Sequence, residues 1–307
     1  MLIEWEQDMK RPSNFWRLGA LALLALASAG ARADDIDIYQ GTTSGSAPNL
    51  LMILDNAAAA SASSTFTCSD PDLVVNDPTK NLGFEQCGLY SAIKAVGTDA
   101  ALKGNINLGL MYFPSGQTDG GTFVLPKPSP VPSSLQLMDD TGLDKMLKRV
   151  AALSLADDKS NNNQISQAMQ EAWAFYQGKT GLSGTTYPGL ANQQACGRNF
   201  VLYITLATNN QKMQDSGNLG GNALQAAQGL TSLPAQLPML AWKSPIAPNR
   251  IPKSGPPYAT DYSDEWAYFM STGASPNLTT PYPGITTYTI ILSDGTNPEY
   301  EQLMASM

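Results

Sequence analysis

No histidine occurs anywhere in the 307 residues. That excludes a Ser-His-Asp triad, an imidazole general base, and a zinc or iron centre held by histidine. Charged residues are scarce too, at 14% against about 25% in an ordinary globular chain. The net charge is −8, and no Lys/Arg run stands out beyond the N-terminal region, so the electrostatic footprint of a nucleic-acid-binding protein is missing. No apolar run reaches the ~20 residues that a membrane-spanning helix needs. Cysteine is limited to Cys68, Cys87 and Cys196. An odd number leaves one thiol unpaired or paired outside the chain. With no imidazole to activate it, that thiol is a poor catalytic nucleophile. These absences point away from an enzyme and toward a binding protein.

What is present fits export. The chain is long enough for one large domain or two small ones, and it needs no staples to bury a core. Residues 9–33 read MKRPSNFWRLGALALLALASAGARA. Lys10, Arg11 and Arg17 form a basic leader, LGALALLALASAGA an apolar stretch, and Ala31-Arg32-Ala33 a small-x-small cleavage site. Residues 1–33 are therefore expected to be a signal peptide, with Met9 a candidate start, and no stable membrane span is expected after cleavage. An oxidising compartment allows disulfides. Cys68 and Cys87 are close enough in sequence to staple the segment between them, although spacing alone does not fix the connectivity.

The mature part alternates strand and helix patterns. Strands are expected at 50–54 (LLMIL), 106–113 (INLGLMYF), 199–208 (NFVLYITLAT) and 284–293 (GITTYTIILS). Helices are expected at 84–103, where Gly97 weakens the second half, and at 142–155, 164–177, 222–229 and 262–271. A last helix is expected to open at Asn297-Pro298, an N-cap followed by Pro at the first helical position. Ser263 is read as the cap of the 262–271 helix and Asn163 as the cap of 164–177. Residues 157–163 read as a polar loop. Long insertions rich in turn residues are expected at 57–82, 114–134 and 209–260. This order predicts an α/β fold: a doubly wound, mainly parallel sheet flanked by helices, of Rossmann type, with long loop insertions. Ligands of such sheets bind outside the carboxyl ends of the strands. Asp55 sits at one such end, in LLMILDNAAAASAS.

Several phrases, in order, carry a family resemblance: ADDIDIYQ, PNLLMILDN, NINLGLMYFPSG, CGRNFVLYITLATNN and TTYTIILSDGTNPEYEQLMASM. Together they resemble the N-terminal von Willebrand factor A-like domain of PilY-type type IV pilus proteins, which are assembly factors and tip adhesins. The resemblance spans essentially the whole mature chain, 34–307. The C-terminal β-propeller that usually follows in that family is not in this sequence.

Von Willebrand A domains usually hold Mg²⁺ at a metal-ion-dependent adhesion site built on Asp-x-Ser-x-Ser, with a Thr and an Asp from later loops. Such a cation wants about six oxygens. Here Asp55 matches the first Asp, but Ala57 and Ala59 stand at the serine positions, Asn163 near the threonine, and Leu206 or Ala207 at the late Asp. Ser61 and Ser63 would reach the site only through a rearranged loop. The site is therefore expected to be degenerate, with Asp55 and Asn163 its remaining candidates for Mg or Ca. Asp55 is read in preference as a strand-end carboxylate that accepts backbone N–H bonds and fixes the following turn.

The resemblance implies an exported protein of the periplasm, outer surface or pilus tip of a Gram-negative bacterium. Its partners would be pilins or minor pilins, or a host or surface ligand. A pilus-independent adhesive module, or a non-functional truncated remnant, is the alternative. Asp294-Gly295-Thr296-Asn297 reads as a turn into a capped helix. The acidic pairs Asp34-Asp35, Asp139-Asp140 and Asp157-Asp158 read as solvated turns and helix ends. Trp242, Tyr258, Tyr262, Trp266, Tyr268 and Tyr282 cluster in the last third, partly as core and partly as a candidate adhesive surface.

Overall fold

The computed structural model describes residues 47–113, 122–123, 135–160, 164–190, 197–207, 218–240, 250–251, 261–273, 284–293 and 297–307. All belong to the second of the chain's two units, Gly41–Met307. Asn163, Cys196, Trp242, Tyr258, Tyr282 and the Asp294–Thr296 turn lie outside the described residues.

Four strands form the body of the sheet: β1 (Asn49–Leu54), β2 (Asn107–Tyr112), β5 (Asn199–Ala207) and β8 (Ile285–Ser293). They run parallel in the order β2-β1-β5-β8. Two short strands, β3 (Thr122–Phe123) and β4 (Gln136–Leu137), pair antiparallel with the two ends of β2 and complete a six-stranded sheet. A separate ribbon pairs β6 (Met239–Leu240) with β7 (Arg250–Ile251). The fold class expected from the sequence, α/β with a mainly parallel sheet, is what is found.

The inner parallel strands β1, β2 and β5 are mostly buried on both faces, which is why their sequences are mainly apolar. Successive residues of β1 split between two cores. Leu51 and Ile53 enter one, packed with Ile165, Met169, Trp173, Trp266 and Phe269. Met52 and Leu54 enter the other, packed with Leu82, Leu89, Ile93, Met146 and Val150. Helices α1 (Asn81–Thr98) and α2 (Asp140–Ala151) thus cover one face. Helices α4 (Ile165–Gln177), α5 (Leu219–Gln228), α6 (Ser263–Thr272) and α7 (Pro298–Ser306) serve the other. At the amino ends of three neighbouring strands, Asn107, Asn49 and Asn199 stand in register. Asn107 Nδ2 donates to Asn49 Oδ1 (3.0 Å), and Asn49 Nδ2 donates to Asn199 Oδ1 (2.9 Å), so this buried polar row satisfies itself.

Several expected boundaries move. Helix α1 starts at Asn81 and stops at Thr98 rather than running 84–103. Gly97 does not break it. A Cβ there would lie 2.5 Å from a methyl of Leu143, so the glycine is what lets α1 and α2 approach. Gly97→Ala is expected to change stability by less than about 1 kcal/mol, read from denaturant midpoints, because the helical gain of alanine offsets the shift of the half-buried Leu143 end. The 157–163 stretch is not all loop: Leu155–Asp158 forms the short helix α3, capped by Ser154, with Asp158 buried. Asp157-Asp158 is thus only half a solvated pair, because Asp158 turns inward to Arg149. Ser263 does not cap α6 through its own side chain. Asp261 does the work two residues earlier, its Oδ1 accepting the Ser263 N–H at 2.9 Å. The Asn297 cap with Pro298 at the first turn is present, Asn297 Oδ1 accepting from Tyr300 N–H at 3.2 Å. The 57–82 segment contains a 3-10 turn, Ala58–Ser61, and is stapled to α1 by a Cys68–Cys87 disulfide with Cα atoms 5.7 Å apart.

Candidate functional site

The carboxyl end of β1 lies between the ends of β2 and β5, where the chain leaves the sheet. Asp55 is 1% exposed there. Its Oδ1 accepts the N–H of Ala57 (3.1 Å), an Asx turn that closes the strand as expected from the sequence. Its Oδ2 accepts from the Thr205 hydroxyl (2.7 Å) and the Tyr300 hydroxyl (3.2 Å), with the Tyr203 hydroxyl at 3.5 Å. Thr205 Oγ1 and Tyr300 OH also lie 2.5 Å apart, and with one proton each the two hydroxyls fill two of these three contacts while Asp55 is ionised. Tyr203 and Thr205 project from the same face of β5, two residues apart, and Tyr300 comes from the first turns of α7. Three hydroxyls from two distant segments therefore converge on one carboxylate oxygen.

Burial outweighs these hydrogen bonds. It raises the Asp55 pKa from 3.8 to about 6, although the bonds from Thr205, Ala57, Tyr300 and Tyr203 each pull it back. Tyr203 is pushed well above its ordinary value, first by burial and then by the charge of Asp55. Glu85, in the second turn of α1, is 4% exposed, and neither carboxyl oxygen has a hydrogen-bond partner. Burial, then the nearby Asp55, raise its pKa well above 4.5.

Asn56, the next residue, ties the exits of two strands together. Its Oδ1 accepts from Phe113 N–H (2.8 Å) while its Nδ2 donates to Phe113 O (2.8 Å). Nδ2 also bonds the Asp158 carbonyl, and Asn56 O accepts from Ser160 N–H at 3.0 Å. Asp158 in turn holds Arg149 (3.1 Å) and the Ser154 N–H (3.0 Å). The segment after α3 is thus anchored on Asn56. Sequence reasoning singled out Asp55 but missed Asn56, Thr205, Tyr203, Tyr300 and Glu85. The Asp-Asn pair ending β1 was the one local signal for Asn56. The hydroxyls come from segments 148 to 245 residues away, and no local pattern marks them.

Among the described residues, those around Asp55 do not complete a Mg or Ca site, and Asn163 lies outside them. Ala57 and Ala59 are buried and offer methyls. Leu206 and Ala207 are buried in the apolar core. Ser63 is exposed and bridges to Lys80, away from Asp55. The Asp55 oxygens are already engaged by hydroxyl and amide protons where a cation would have to sit. Among the described residues, no group of three or more Asp, Glu or Cys is placed to hold a metal ion. Ala57, Ala59 and Ala60 are buried in this turn. A serine there would bring in a hydroxyl that the turn has no evident group to satisfy.

The candidate adhesive aromatics divide sharply. Tyr262 and Trp266 are core residues, and Tyr268 is 52% exposed. Among the described residues, no helix is long and apolar enough to cross a membrane.

No family model matches the chain, and no curated protein matches it. Among solved structures, it is similar to the pilus adhesin SpaC from Lactobacillus rhamnosus GG. That match has 10% identity and a TM-score of 0.33, and covers 54% of this chain and 16% of that one. It is also similar to a mutant of the PilB minor pilin from Streptococcus sanguinis, with 11% identity and a TM-score of 0.41, covering 86% of this chain and 54% of that one. The chain therefore spans about half of the second protein's length and far less of the first. Both neighbours are pilus proteins, but likenesses this distant carry no argument about what this chain does.

Proposed function

We propose that this chain is an exported, pilus-associated binding protein. It would act through a von Willebrand A-like domain whose adhesion site has lost its metal chemistry. The observation that carries this reading is the placement of Asp55: at the carboxyl end of the central parallel strand, with its oxygens in hydrogen-bond contact with the Ala57 N–H and the Thr205 and Tyr300 hydroxyls. The strand order, with short antiparallel strands closing the β2 edge, supports the von Willebrand A-like reading, as do the phrases quoted from the sequence. In this reading the domain is not an enzyme, and it meets pilins, minor pilins or a surface ligand by direct protein contact. A pilus-independent exported adhesive module is the second reading, favoured by the lack of any described feature specific to pilins.

The test is a count of sheared surface pili in a strain lacking the gene, then in the same strain supplied with residues 1–307. Loss and restoration of pili support the pilus-associated reading. Unchanged pili in both strains reject it in favour of the second. Calorimetric titration with Mg²⁺ is expected to show no binding at millimolar concentration. Micromolar affinity that disappears in Asp55→Asn would overturn the claim that the site has lost its metal chemistry.

A further inference from the structure

The segment before α1 folds back on itself as two arms. Its neck is closed by the antiparallel bridge between Ser63 and Lys80 and by the Ser64 N–H donating to Thr79 O at 2.9 Å. The second arm, 73–80, is built into the domain. Leu73 is buried in the core. Asn76 Nδ2 donates to Ala151 O (2.9 Å) and Leu153 O (2.8 Å) at the end of α2, and Asp77 accepts the Leu155 N–H at 2.8 Å.

The first arm, 65–72, is held differently. Phe66 sets its ring against Phe84 at 5.5 Å between centroids, Cys68 is bonded to Cys87, and Asp70 and Asp72 reach Lys94 at 2.9 and 2.6 Å. At about 3.6 residues per turn, positions 84, 87 and 94 fall on one side of α1. Among the described residues, no other hydrogen bond, ion pair or ring contact joins this arm to the body of the domain. Two of the three ties are weak in water. The side chains of Asp72 and Lys94 are 65% and 31% exposed, so their attraction is screened, and Phe84 is itself exposed. The covalent tie dominates. Its two cysteines are only half-buried, within reach of a dissolved thiol.

We propose that the Cys68–Cys87 disulfide is a redox latch, and that 65–72 is a strap it holds closed on α1. A dithiol reductant opens the strap by exchange. One thiolate of the reductant attacks a sulfur of the pair and forms a mixed disulfide, and the other cysteine leaves as a thiolate. The reductant's second thiolate then displaces the first cysteine. Two electrons pass to the cysteines, the two protons come from the reductant's thiols, and the reductant leaves as its own disulfide. Reduction releases only the first arm, because the neck and the second arm have ties of their own. The open strap uncovers the Phe84–Lys94 side of α1, so the surface offered to a partner differs between the two redox states. This holds whatever the domain binds.

The test is a short pulse of thermolysin on the purified full chain, with cutting at the Thr65–Phe66 bond followed by mass spectrometry. Wild-type chain treated with millimolar dithiothreitol, without denaturant, is expected to be cut there more than about tenfold faster than the oxidised chain. Its circular dichroism is kept, bonds within α1 stay protected, and reoxidation restores the resistance. Cys68→Ser combined with Cys87→Ser should match the reduced chain with no reductant present. Oxidised Lys94→Ala should stay within about twofold of the oxidised wild type. Equal cutting in the two redox states overturns the proposal. So does a disulfide that resists the dithiol until denaturant is added, a reduction that abolishes the circular dichroism, or a Lys94→Ala effect larger than that of reduction. Where the double variant fails to fold, the reduced wild-type chain gives the deciding reading by itself.

Discussion

Asp55→Asn is expected to gain about 3 kcal/mol on the wild-type chain between acid and neutral pH, because burial moves this carboxyl from 3.8 to about 6, or about two units at about 1.4 kcal/mol each. Below 3.8 the group is protonated in both the folded and unfolded chains, and its burial carries no charge penalty. As pH rises toward about 6, the unfolded chain releases a proton that the fold retains, so wild-type stability falls. Above that range the cost is complete and constant. The amide variant has no such titration, and the rotatable hydroxyls of Thr205 and Tyr300 can turn to accept from it. Urea unfolding of both proteins across the range reads the difference directly. A difference that stays flat, or that favours the wild-type chain as pH rises, would show that Asp55 is not a desolvated carboxylate. Glu85, also raised by burial, acts in the same direction.

The second large effect is expected at Trp266. The side chain is fully buried, packed on Trp173 at 5.6 Å between ring centroids and on Phe269 at 5.9 Å. Its indole N–H donates to Gly220 O at 3.0 Å. One side chain therefore joins α6 to α4 and α5. Trp266→Ala should cost about 3–5 kcal/mol, because the rigid helices around it cannot collapse into the space left. Tyr268, two residues on and half exposed, should change stability by less than about 0.5 kcal/mol when replaced by Ala. Equal losses at the two positions would mean that α6 presents a different face to the core. The pair also separates stability from adhesion: only Tyr268 is free to contribute to an exposed surface without serving the core.

The fold was legible in the sequence because its signals are local. LLMIL and NFVLYITLAT are unbroken apolar runs, as strands buried on both faces must be, and the helices between them repeat at helical spacing. The Asn297-Pro298 start was legible for the same reason, since cap and first turn are adjacent in the chain. Where the local signal was ambiguous, tertiary contact decided. Gly97 weakens the second half of its helix in the sequence, and the helix does stop at Thr98, but the glycine itself packs against Leu143. Ser263 has the right side chain for a cap, but Asp261 reaches the helix end first.

At the site, the division follows sequence distance. The position of Asp55 at a strand end, the turn it fixes and the alanines at 57 and 59 were all evident from one short stretch, since each depends on neighbours along the chain. Only the tertiary structure brought Thr205, Tyr203 and Tyr300 to the same carboxylate and set Glu85 near it. Those contacts exist because parallel strands from distant segments end side by side, an adjacency that no local pattern encodes. The same holds for β8: ITTYTIILS names a strand, but only the strand order places it beside β5.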